Sequence, residues 1–221
     1  METAKNELQG ILNNLKGSHE EEILIKMQEL YSKIAKEQDS WYKKSSFTCP
    51  SGCGECCRNF EPDLLDCEAT FMAAWLLENQ NEVALKVSKE EFPFPMNKGC
   101  PFWDENSPYH CTIYGGRAFI CRLFGASASK SKHGKAVFKP CKYYPVQLLE
   151  EHKPPLAHRQ YSDSEFMEFF GSYPPNTTDF MEAAISLNPD NHSTSLIRDI
   201  LPSAINKLLW ISSMNNSNTA N

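Results

Sequence analysis

Four cysteines stand within nine residues of this chain, at Cys49, Cys53, Cys56 and Cys57, in the run Cys-Pro-Ser-Gly-Cys-Gly-Glu-Cys-Cys. Four more follow at Cys100, Cys111, Cys121 and Cys141, and a ninth, Cys67, lies between the groups. Thiols at this density need a common partner. A metal is the simplest, because several thiolates share one cation and complete its tetrahedral shell. Residues 1–29 are rich in Glu, Asn and Lys and lack the apolar core of an export signal. The expected compartment is therefore the cytosol, where thiols stay reduced. An odd count of nine also argues against a disulfide framework. The Asn-x-Ser/Thr triplets at Asn176, Asn191 and Asn215 are then chance occurrences.

The spacing says how thiols share an ion. Cys53 and Cys56 form a C-x2-C knuckle, and Cys49 approaches the same side through a C-x3-C step. Pro50, Gly52 and Gly54 supply the turns that curl a backbone around an ion. Adjacent side chains diverge, so Cys56 and Cys57 are expected to serve two neighbouring metals or one cluster of several metal atoms. Cys67 falls on a helical face and reads as a small buried apolar residue. The other eight cysteines complete two four-thiolate sites.

Around this loop the chain reads as mainly α, with helices packed on an irregular cysteine-rich metal-binding centre and short β-hairpin elements. Hydrophobic residues make up 41% of the 221, enough for a core. Three segments are expected: an N-terminal helical segment, 1–46; a cysteine-cluster domain, 47–145; and a C-terminal helical segment packed on it, 146–221. In the first, Leu8, Ile11, Leu12 and Leu15 share a face, and Ser18 to Glu21 reads as a capping box opening a helix whose stripe is Ile23, Met27, Leu30, Tyr31 and Ile34. In the second, helices are expected over about 64–79, with Phe71, Met72, Trp75 and Leu76 buried, and over 81–87. A hairpin is expected from Cys100 to Tyr114 with its turn at Asp104 to Pro108, and a helical turn over 117–124 carries Cys121. Extended backbone is expected near Ala136 to Phe138. In the third, helices are expected over 164–170, 178–187 and 195–211, with Thr177 or Thr178 and Ser193 as N-caps and 215–221 as a frayed polar tail.

The pattern Phe47-x-Cys49-x3-Cys53-x2-Cys56-Cys57-Arg58, then Cys100-Pro101-Phe102, Cys111-Thr-Ile-Tyr114 and Arg117-x3-Cys121-Arg122, resembles the YkgJ-type cysteine-cluster family of zinc- or iron-chelating domains. The resemblance covers about 47–145. It implies metal chelation by Cys49, Cys53, Cys56, Cys57, Cys100, Cys111 and Cys121, with Cys141 matching the family's later cysteine. Ala118 stands where the family usually has Pro, and Cys67 where it usually has no cysteine.

Both zinc and an iron–sulfur cluster accept four thiolates. Structural zinc sites often use paired C-x2-C knuckles, and this chain has one. The crowded run therefore favours an iron–sulfur cluster, although Zn2+ readily occupies such sites. The radical-SAM spacing is present in Cys49-x3-Cys53-x2-Cys56, but Glu55 replaces the usual aromatic and no βα series follows. Three functions remain open: a metal-binding module for redox, metal handling or regulation; a protein-modifying enzyme, since flagellin lysine N-methylases contain a similar domain; and a zinc scaffold presenting the terminal helices to a protein partner. Gly52-x-Gly54 and Gly115-Gly116 fall short of a Rossmann-type turn. No catalytic arrangement is legible. His110 reads as a surface residue on a hairpin, and His152 and His158 as loop residues. Arg58, Arg117 and Arg122 either balance the charge of the thiolates or make ordinary surface contacts. The run Lys130, Lys132, His133, Lys135, Lys139 and Lys142 reads as a solvated loop. With 22 Lys+Arg against 28 Asp+Glu, the net charge of −6 favours neither nucleic acid nor an acidic membrane, and no apolar run is long enough to span one.

Overall fold

The computed structural model describes residues 8–50, 52–94, 99–188 and 191–219, with side chains through 217. Among the described residues it is mainly α, about 54% helical with ten α-helices and a few short strands. The helix α1 spans Gln9–Asn14 and α2 His19–Ser45, with the short α3 at Glu55–Arg58. Then come α4, Asp66–Asn79, α5, Asn81–Val87, and α6, Phe119–Leu123. The chain continues through α7, Val146–Glu151, α8, Phe166–Phe170, α9, Thr177–Ile185, and α10, Ile197–Thr219. Two short sheets brace them. Strand β1, Asp63–Leu64, pairs antiparallel with β5, Ser195–Leu196. Strands β2, Ser129–Lys130, β3, Ala136–Phe138, and β4, Tyr161–Ser162, form an antiparallel sheet in that order.

Helix α4 is the centre of the larger core. Its Ala69, Phe71, Met72, Ala73, Ala74, Leu76 and Leu77 are all buried. A helix apolar on nearly every side must be enclosed, and α10, α2, α1 and α5 enclose it. Its small alanines let those neighbours approach. The expected α2 stripe is buried at Ile23, Met27, Tyr31 and Ile34. Ser18 Oγ accepts the Glu21 N–H at 3.2 Å, and Glu21 reaches back to the Gly17 N–H at 2.6 Å. Glu78 of α4 accepts the Gly10 and Ile11 N–H groups at 3.1 and 2.7 Å, satisfying orphan donors of the otherwise uncapped α1.

A second core is aromatic. Trp41, Phe47, Phe138, Tyr161, Phe166 and Phe170 are buried together with Leu149 and Leu156. Their rings meet mostly edge to face, as between Phe47 and Phe138 at 5.5 Å. His152 lies in the loop after α7, as expected, but is buried against this core, with its ring nitrogens 2.7 Å from the Ser45 and Pro154 carbonyls.

Three expectations at the C-terminal end are corrected. The α9 cap is Asn176, whose side chain accepts the Thr178 N–H at 3.0 Å, so neither threonine caps it. Ser193 caps nothing, because α10 begins at Ile197. Of the expected 215–221 tail, residues 215–219 are helical and continue α10, residues 220–221 lie outside the described residues, and Asn215 donates to the Asn14 carbonyl at 3.0 Å. Tertiary contact with α1 overrides the weak helix preference of that polar stretch. Among the described residues no helix is long and apolar enough to cross a membrane.

Candidate metal centre

The cysteine loop leaves the aromatic core at Phe47, whose ring stacks on Tyr144 at 4.5 Å. The Cys53 N–H closes a turn onto the Pro50 carbonyl at 3.1 Å, and the Cys57 N–H bonds the Gly54 carbonyl at 3.0 Å. That second bond opens α3, which carries Cys56 and Cys57. Gly54 has no room for a side chain: a Cβ there lies 2.5 Å from Cβ and Cδ2 of His110. Gly99, at φ +95°, is held against the Arg58 carbonyl, 2.4 Å from where its Cβ stands. The Cys100 segment is thereby laid on the backbone after Cys57.

Cys111 is paired to Trp103 by a single antiparallel bridge, so the expected hairpin is reduced to one bridge and tight turns. Gln80 fixes the far side of Cys111 by donating to the Thr112 carbonyl at 2.6 Å. Cys121 rides on α6, positioned from both ends. Glu68 accepts the Phe119 N–H at 2.7 Å, and Gln38 donates to the Arg122 carbonyl at 2.6 Å. Cys141 closes a turn whose Tyr144 N–H donates to its carbonyl at 2.9 Å.

These pieces converge. A cavity of about 280 Å³ is lined by Cys49, Cys53, Cys56, Cys57, Cys100, Cys111 and Cys121. A cleft of about 20 Å³ adjoins it, lined by Cys49, Cys53, Cys56 and Cys141 with Phe124 and Tyr144. Cys67 stands apart in the larger core, its Sγ 3.7 Å from the Ala184 carbonyl. The Sγ atoms of Cys56 and Cys57 lie only 3.8 Å apart, so these neighbours do not diverge as expected. A helical backbone turns each successive side chain by about 100°, and a rotatable χ1 on each cysteine closes the remaining gap.

The family model described as "CxxCxxCC: Putative zinc- or iron-chelating domain" matches residues 48–164. The chain belongs to this family. No curated protein and no solved structure matches it.

The donor chemistry fits the metals of this chelating family. Sulfur is the soft donor that zinc and iron–sulfur clusters take, and the thiols face shared cavities. Among the described residues, no three His, Cys, Asp or Glu side chains are already drawn together as a ligand shell. The glycine- and proline-bounded loops would therefore close on the ion as it binds.

Without a cation these thiols hold their protons. Burial and then the nearby Cys53 push Cys49 up to about 12, and burial takes Cys100 to about 12. Burial also raises Cys121, Cys111 and Cys141. The Cys56 thiol is raised first by its hydrogen bond with Cys57 and then by burial. Arg117 opposes the shift at Cys56, Cys111 and Cys121, and Arg122 at Cys111. The thiolate is the form that ligates a metal, so a binding cation has to displace these protons.

The three arginines divide between the two expectations. Arg58 makes 3.8 Å contacts with Glu55 and Glu105 and lies over Trp103. Arg122 is largely a brace, donating to the Arg117 carbonyl at 2.9 Å and to the Gly115 carbonyl. Arg117 lies over Tyr114 and faces the thiols electrostatically. His110 is half-buried, stacked on Trp103 and lining the larger cavity, so it is no surface residue.

Two supporting residues had no role in the sequence reading. Arg198 pairs with the nearly buried Glu61 and donates to the Gly99 carbonyl at 3.1 Å, tying α10 to the Cys100 turn. Glu68, 3% exposed, accepts the Leu65 N–H at 3.0 Å as well as that of Phe119. Leu65 has no acceptor to return, so Glu68 supplies only one half of a capping box. Its placement at the third position of α4 was the available signal.

Proposed function

We propose that this chain is a metal-handling protein with a redox or regulatory role, whose working element is a centre bound by Cys49, Cys53, Cys56, Cys57, Cys100, Cys111, Cys121 and Cys141. The observation that carries the reading is the gathering of eight thiols, spread over more than ninety residues of sequence, around two adjoining cavities between two hydrophobic cores. Zinc or iron chelation is the family's own description. The sulfur-only set suits both metals, and the crowded Cys49–Cys57 run favours an iron–sulfur cluster over Zn2+ as the native occupant. A cluster supplies one-electron chemistry when bound. The chain's residues do the rest: turns at Pro50 and Gly54 position sulfurs, Arg117 offsets their negative charge, and Trp103 and Phe124 form part of the wall.

A second reading, a zinc scaffold that presents its terminal helices to a protein, is favoured by one feature. Trp210 and Met214, one turn apart on α10, are 65% and 49% exposed. The lysine N-methylase reading has less behind it, because the Gly115–Gly116 turn is taken up by close packing on Trp75.

Metal and acid-labile sulfide analysis, with an absorption spectrum, on protein purified without oxygen tests the proposal. Iron with sulfide and a brown charge-transfer band is the expected result. Colourless protein with about two zinc ions per chain would replace the redox role by the scaffold. No stoichiometric metal would overturn both.

A further inference from the structure

The geometry points to two adjoining four-thiolate centres, Cys49, Cys53, Cys56 and Cys141 in one and Cys57, Cys100, Cys111 and Cys121 in the other, meeting at the Cys56–Cys57 pair. This division rests on the chelation reading above and goes beyond it by saying which thiols share an ion.

Four observations separate the sets. The small cleft is lined by Cys49, Cys53, Cys56 and Cys141 and by no other described cysteine. Cys141, conversely, does not line the larger cavity, where all four thiols of the second set stand beside Cys49, Cys53 and Cys56. Each set also backs onto a different core. Tyr144, in the wall of the small cleft, packs on the aromatic core, whereas Cys100 belongs to the helical core and Cys111 and Cys121 pack against it. Finally, Gly99 is seated against the carbonyls of Cys57 and Arg58, 3.5 and 2.4 Å from its Cβ position. Cys57 is thus placed beside Cys100 and lines the larger cavity alone of the two, while its neighbour Cys56 lines the cleft as well.

The seam sets how close the ions lie. Cys56 Sγ and Cys57 Sγ are 3.8 Å apart. With metal–sulfur bonds of about 2.3 Å, two ions held on either side of that pair sit no more than about 8.4 Å from each other. Basic side chains stand on both sides: Arg122 near the second set, Lys142 beside Cys141 in the first, and Arg117 near Cys56 of the first set and Cys111 and Cys121 of the second. Each would offset part of the net negative charge of a four-thiolate dication.

The competing arrangement is one mononuclear centre, since sulfurs about 3.8 Å apart can also be two corners of one tetrahedron with bonds of that length. Anaerobic Co2+ titration of the reduced, metal-free full-length chain decides between them, because cobalt bound by four thiolates has intense visible absorption. Two equivalents of four-thiolate cobalt are expected for the wild type. Cys49→Ser/Cys141→Ser should leave one full equivalent, the same as Cys141→Ser alone, because both changes fall in one centre. Cys141→Ser/Cys111→Ser should leave none. Far-UV circular dichroism checks folding of the Cys111 variant. If that variant does not fold, the wild-type stoichiometry and the Cys49/Cys141 pair still decide. Saturation of the wild type at one equivalent overturns the division, as does loss of all cobalt in Cys49→Ser/Cys141→Ser. Wild-type protein that binds no cobalt sinks the chelation reading itself.

Discussion

Replacing Glu68 by Gln tests how the Cys121 helix is held. The carboxyl is almost fully buried and accepts two N–H groups, from Leu65 and Phe119. Those bonds and the Arg122 charge favour its ionised form, but burial outweighs them and takes it up from 4.5 to about 7. A carboxyl raised in the folded state favours folding most where both states are protonated. Its contribution is full below about pH 4.5 and is lost as pH rises through about 7. At 1.36 kcal/mol per pH unit, the loss across that window is about 3 kcal/mol. The amide of the Glu68→Gln variant does not titrate. It can accept at only one oxygen, so one N–H loses its partner at a cost of roughly 1–3 kcal/mol at every pH. Urea unfolding followed by tryptophan fluorescence should therefore show wild type ahead at pH 4.5. That lead should shrink by about 3 kcal/mol by pH 8, to near zero or below. Taking the difference between the two proteins cancels the groups they share, the thiols included. A difference that stays constant from pH 4.5 to 8, or grows, would refute the reasoning.

Metal uptake should release protons, because the thiols of Cys49, Cys100, Cys111, Cys121 and Cys141 are raised by burial and that of Cys56 chiefly by Cys57. Calorimetry of Zn2+ binding in buffers of different ionisation enthalpy should report about four protons per ion at pH 7, with affinity rising as pH rises; fewer than about two would count against a four-thiolate shell. Gly54→Ala puts a Cβ 2.5 Å from His110 and should cost about 1–3 kcal/mol of stability, with weaker metal retention in a chelator-competition assay. Arg198→Ala removes the guanidinium from Glu61, which keeps the N–H of residue 198, and frees the Gly99 carbonyl, and should destabilise the chain by about 1–3 kcal/mol while slowing metal uptake; unchanged melting would contradict the bracing role.

The cysteine spacing, the α2 and α4 stripes and the placement of Cys67 were legible because each is a local pattern with a local cause. The helix around Cys121 was legible too, but what holds it was not. Glu68 and Gln38 reach that helix across 51 and 84 residues of sequence, and no periodicity records such a bond. The same holds for Arg198 and Glu61. The Asn176 cap lost to the threonines in the sequence reading, although Asn is as good a cap as Ser. The continuation of α10 through its polar end depends on α1, a partner about 200 residues away. The approach of the Cys56 and Cys57 sulfurs to 3.8 Å depends on the side-chain rotamers, which sequence adjacency alone does not set.

The central claim is that sulfur from these cysteines holds the metal. X-ray absorption at the edge of whichever metal the anaerobically purified chain carries reads that directly. A first shell of sulfur alone, about four scatterers at about 2.3 Å per metal, is the result this account predicts. A shell dominated by nitrogen or oxygen at about 2.0–2.1 Å would contradict it.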